Sequence, residues 1–109
     1  MALNPLDPAF FLYLLAAGMA QLFSGRPAQA LELAKRSVAL YPDWDSTYWI
    51  LIAAYVQLDR LAEARAALPK YQSLAPGTTV SELGRRLPAR DPASLAIILD
   101  GLRTAGLPE

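Results

Sequence analysis

Residues 25–42 read GRPAQALELAKRSVALYP, and the arrangement of the rest of the chain follows from them. A turn at Gly25 leads into a segment with small residues four apart, Ala30 and Ala34, which closes on Leu40, Tyr41 and Pro42. Displaced by 34 positions, the pattern returns. Asp59 stands for Gly25, Ala64 for Ala30 and Leu68 for Ala34, and Leu74, Ala75 and Pro76 repeat the Leu-x-Pro ending. A helix–turn–helix unit recurring at such a period marks a stacked helical repeat, because one unit cannot bury its apolar face alone.

Composition is consistent with one small domain. A hydrophobic fraction of 54% in 109 residues allows a packed core despite the short length. Ten Lys and Arg balance ten Asp and Glu, leaving no net field to draw in nucleic acid or an anionic membrane. Cysteine is absent, so there is neither a disulfide framework nor thiolate chemistry, and a cytoplasmic setting is expected. Histidine is absent too, which removes the commonest general base and metal ligand together. The apolar run Ala9–Ala20 is shorter than the roughly 20 residues of a membrane span. It also lacks the basic start of a signal peptide, since Asp7 precedes it and the first cation is Arg26. It reads as a buried helix.

Local punctuation predicts six helices. Asp7-Pro8 opens the first, near residues 8–23, and Gly25 stops it. Pro27 opens the second, to about Leu40. Asp43 or Asp45 caps the third, about 46–58, and the fourth runs about 61–74, with Pro69 inside it predicting a kink. Thr79 and Glu82 fit a capping box for a short fifth helix. Asp91-Pro92 opens a sixth, with Leu95, Ile98, Leu99 and Leu102 on one stripe and Gly106 at its end. The expected architecture is all-α: an antiparallel helix-hairpin solenoid of two repeats, about 8–42 and 43–76, closed by a capping pair, about 77–109. Leu3, Asn4 and Pro5 look like the ending of a preceding repeat, so a longer array is expected.

These residues resemble the tetratricopeptide repeat. The second repeat offers Tyr48, Leu51, Tyr55, Asp59, Ala64, Tyr71 and Pro76 at its signature places, with Ile52 where the family has Gly and Leu68 at its second aromatic position. The first offers Leu14, Ala17, Gly18, Gly25, Ala30 and Ala34, with Gln21 in place of Tyr. The opening LNPLDPAFFLYLL and the ending RRLPARDPASL with GLRTAGLPE look like the C-terminal part of certain bacterial proteins. In those, a repeat array follows a class III adenylate or guanylate cyclase domain, or a winged-helix regulator domain. The resemblance implies a protein-interaction or self-association module in the regulatory part of a signalling protein, or a stand-alone homodimer.

No catalytic constellation is legible. Asp43 and Asp45 at a helix mouth read as caps rather than an acid–base pair. Glu32 with Lys35 or Arg36 is ordinary helix-surface pairing. No phosphate-binding loop occurs, and the Arg85, Arg86 and Arg90 cluster suits a helix C-terminus better than nucleic acid. The chain is therefore expected to be a non-enzyme without cofactor or metal.

The resemblance implies a concave groove lined by the first helix of each repeat. Mapped here it comprises Leu12, Leu15, Met19, Leu22 and Phe23, then Ser46, Trp49, Ala53, Val56 and Gln57. Family members that clamp a terminal carboxylate use Lys, Asn and Arg at such places, and none occurs here. The expected partner is an amphipathic helix of a protein or peptide, or a second copy of the chain, with neither nucleic acid nor membrane. The chain's own last helix is the other candidate to cover this face. On this expectation Trp49→Ala weakens a partner without unfolding the chain.

Overall fold

The computed structural model describes residues 6–87 and 91–109. It holds six helices: α1 (Phe10–Phe23), α2 (Pro27–Leu40), α3 (Asp45–Gln57), α4 (Leu61–Leu74), α5 (Val80–Arg86) and α6 (Pro92–Ala105). Among the described residues there is no strand. The Leu3-Asn4-Pro5 ending and Arg90 lie outside the described residues.

Short connections fold α1 back on α2 and α3 back on α4. The two hairpins are the same object displaced by the sequence period. α2 and α4 begin and end 34 residues apart, and α1 and α3 end 34 apart. The turns agree in detail. The Arg26 N–H donates to the Gln21 carbonyl at 2.9 Å, and the Arg60 N–H to that of Tyr55 at 2.8 Å. Gly25 adopts φ 77° and Asp59 φ 63°, the latter being the one non-glycine left-handed residue among those described.

A left-handed L-residue costs roughly 1–2 kcal/mol, and glycine's extra unfolded freedom returns roughly 0.5–1 kcal/mol of that. Asp59→Gly is therefore expected to raise stability by about 0.5–1 kcal/mol, read as a midpoint shift of a few degrees in a thermal melt. A lower midpoint would mean that the Asp59 side chain contributes more than the backbone strain removes.

Helix ends follow the sequence closely, with two differences. α1 begins at Phe10, not Pro8, because the Asp7 carboxylate takes the Ala9 N–H at 2.8 Å and holds 6–9 in a turn. Neither Asp43 nor Asp45 caps α3: Trp44 is the cap residue, Asp45 lies in the first turn, and Asp43 instead accepts from Lys70 at 2.8 Å. Thr79 does accept from the Glu82 N–H at 3.2 Å, and Asp91 from the Ala93 N–H at 3.1 Å. Helix α4 continues through Pro69. That residue and Arg65, four before it, are both exposed.

The core is one cluster centred on α3, from Tyr48 through Ala54, with Leu15 and Leu22 of α1, Leu31 of α2 and Tyr71 of α4. The closing pair is built differently from the two hairpins. α6 lies chiefly on α3, with lesser contacts to α4 and α5, and contributes Ile98, Leu102 and Ala105 to the same cluster. Past its left-handed end at Gly106, the Pro108 carbonyl accepts from the Val80 N–H at 2.8 Å, tying the chain end to the start of α5. The radius of gyration, 13.2 Å, is that of a globular chain of this length, about 13 Å.

Candidate functional site

Helix α6 packs along α3, over part of the face that the sequence reading assigned to a groove. The crossing is at Gly101. A Cβ there would stand 2.8 Å from the Cα and 3.0 Å from the Cβ of Ala53, so the two helices approach backbone to backbone. Ala53 is therefore fully covered. Leu15 and Leu22 are core residues, 7% and 2% exposed. Val56 is half-buried against the core. Trp49 is 9% exposed, and its indole N–H donates to the Tyr71 hydroxyl at 3.0 Å, joining α3 to α4. Ser46 donates to its neighbour Asp45, and Gln57 is exposed.

What α6 leaves open is a cleft of about 260 Å³ between its first turns and α1. Met19, Phe23 and Trp49 form one wall, with Leu95, Ile98 and the Asp91–Ser94 rim opposite. Asp91 accepts from the Ser94 hydroxyl at 2.7 Å, and that bond, with the Ala93 N–H, holds its carboxyl below the usual range. Of the eight apolar groove positions, then, Met19, Phe23 and Trp49 meet at the cleft. Leu15, Leu22, Ala53 and Val56 pack inward. Leu12 is 40% exposed on the outer side of α1.

That outer side is the surface the sequence did not disclose. The apolar run was expected to be a buried helix, yet α1 presents one whole face to solvent. Leu12, Tyr13, Ala16 and Ala20, with Ala9 just ahead, are exposed at the helical spacing of a single stripe. No charged residue occurs anywhere in α1. A period cannot orient a helix whose residues are nearly all apolar, so only the packing of Phe11, Leu14, Leu15, Gly18 and Leu22 inward shows which side is out. Leu40, 54% exposed, extends the surface beside Phe10, and Phe10 and Tyr13 pair their rings at 5.5 Å. At the same end of the hairpin Tyr41 stacks on Phe11 at 4.7 Å, with Trp44 edge-on at 5.5 Å.

Among the described residues the ion pairs lie at the surface. Arg60 pairs with Glu63, Lys70 with Asp43, and Arg103 with both Asp100 and Glu109. Such exposed pairs contribute little. Among the described residues no cluster of acidic side chains is arranged to hold a metal ion, and no helix is long and apolar enough to cross a membrane.

Fold and site together define an all-α protein of helical hairpins whose last helix packs on α3. Comparison with protein-family models, with curated proteins and with solved structures gave no match.

Proposed function

We propose that this chain is a non-catalytic protein-interaction or self-association module of the tetratricopeptide-repeat kind. The observation that carries the reading is the uncharged, exposed face of α1. A helix apolar all round belongs in an interior, and leaving such a face wet is costly in a soluble monomer. The repeat geometry supports the family reading, since both hairpins close with the same hydrogen bonds 34 residues apart. The inventory of side chains, without His or Cys, supports a non-enzyme that needs no cofactor. The likeness of its two ends to bacterial cyclase–repeat fusions supports a regulatory or scaffolding role in a cytoplasmic signalling protein, with an amphipathic helix or another copy as partner.

Two measurements on the full chain test this. One is mass in solution by light scattering as concentration rises. The other is Trp fluorescence during titration with amphipathic helical peptides. The expected outcome is a mass above the 11.8 kDa of one chain, or saturable peptide binding. A chain that stays monomeric and is indifferent to every such peptide is not an interaction module.

A further inference from the structure

We infer that the outer face of α1 docks against the α1 of a second copy, the two helices running antiparallel about a two-fold axis at Ala16. The inference rests on the interaction-module reading and specifies its partner.

The repeat itself identifies this face as one that accepts a helix. Tyr13, Ala16 and Ala20 correspond, 34 residues on, to Thr47, Ile50 and Ala54, all wholly buried. Those residues lie where α3 meets the first hairpin: a Cβ at Gly18 would stand 3.6 Å from the Ile50 side chain, and α2 packs along α3. In the first repeat no helix among the described residues lies over the same positions.

Charge selects which helix can cover it. Stacking one copy on the next in head-to-tail fashion would press α4 onto α1, and α4 has the charged, exposed Arg65 where α2 has the buried Leu31. The exposed sides of α2 and α6 likewise carry Glu32 with Lys35, and Asp100 with Arg103. Each would bring charged side chains against the uncharged α1, at a desolvation cost. The outer face of a second α1 carries none.

Size selects the direction. Along the stripe the bulky residues, Leu12 and Tyr13, precede Ala16, and the small Ala20 follows it. Antiparallel pairing about Ala16 sets Leu12 and Tyr13 of one copy over Ala20 of the other, twice, and Ala16 meets itself. Parallel pairing would set large on large and small on small. Alanines at the crossing admit an interaxial distance near the short end of the usual range, about 8 Å. A two-fold contact is self-complementary by construction, and this face meets that requirement. Three helical turns offer less than the roughly 800 Å² per partner of a standard interface, so the dimer is weak and concentration-dependent.

The test is sedimentation velocity of the full chain in a dilution series reaching about 1 mM. The wild type is expected to pass from one chain to two. Ala16→Glu and Ala16→Lys each place like charges at the axis and should weaken the dimer by at least about tenfold. An equimolar mixture of the two variants should restore it. Ala16 is exposed and both replacements are good helix formers, so unchanged melting curves exclude unfolding as the cause. A dimer indifferent to both charges, or a mixture that fails to reassemble, overturns the α1 contact while leaving self-association in place. A wild type monomeric throughout overturns the second copy as partner. If that monomer still binds an amphipathic peptide the interaction-module reading survives; if it binds none, both fall.

Discussion

Trp49→Ala is expected to lower the unfolding free energy by about 3–5 kcal/mol, the usual range for removing a buried aromatic side chain. A domain of this size has roughly 5–15 kcal/mol in all, so the variant should melt at least about 12 °C lower. The sequence expectation is instead that Trp49 is a partner anchor removable without harm to the fold. At 9% exposure most of the indole is core, and its N–H is committed to Tyr71. The polar part of the loss can be separated. Tyr71→Phe leaves a buried indole N–H without its acceptor, which costs about 1–3 kcal/mol. Trp49→Phe combined with Tyr71→Phe should cost less than the two changes added, because the second removes a bond the first has already broken. Urea denaturation followed by circular dichroism measures the wild type, Trp49→Ala, each single Phe variant and the double variant. A Trp49→Ala protein that melts like the wild type would return Trp49 to the role of anchor.

The same pair predicts a response to alkali. Burial pushes the Tyr71 hydroxyl above the ordinary tyrosine range, with the Trp49 bond opposing it. Tyr48 is raised as well, again mainly by burial. Folded chains therefore keep protons that unfolded chains begin to release near about pH 10. The stability these groups contribute is complete below that pH and declines as pH rises through it, and Tyr71→Phe should flatten part of the decline.

The second large effect is expected at Gly101. Carbon atoms pack at about 3.5–4.0 Å, and a Cβ at this position would meet the Ala53 backbone at 2.8 Å. No flexible side chain is there to yield, so α6 must lift as a unit. For Gly101→Ala, overpacking of about 1–3 kcal/mol is partly offset by alanine's better helix propensity, about 1 kcal/mol. Gly101→Val keeps little of that offset and adds bulk. It is expected to undock α6, withdrawing Ile98, Leu102 and Ala105 from the core, at about 1.5–3 kcal/mol for each large side chain. Hydrogen exchange should then show lost protection in residues 98–105 while the first hairpin keeps its own. Ala53→Gly should relieve Gly101→Ala only in part, because the closest clash is with Ala53 Cα rather than its side chain. Equal loss of protection in every helix would mean that α6 is integral to the fold and not a separable cover.

Much of the fold was legible before any coordinates, and the reason is locality. Helix limits are set by residues within a turn of them: Gly25 and Gly106 at positive φ, Pro27 and Pro92 at helix starts, Thr79 capping through Glu82. The period of 34 was legible for the same reason, since it repeats those local marks. The site was less so. Only the family resemblance places Leu15, Leu22 and Ala53 in a groove. A register states which residues share a face and says nothing about what covers it.

The sequence by itself determined six helices, their ends and their pairing into two hairpins, because capping, glycine turns and proline act over a few residues. Only the tertiary structure decided that α6 closes over Ala53 at Gly101, that Trp49 belongs to the core, and that Leu12, Tyr13, Ala16 and Ala20 face outward. These outcomes depend on which apolar surfaces meet across distant parts of the chain. In α1, where nearly every side chain is apolar, no local signal distinguishes the face that packs from the face that stays exposed.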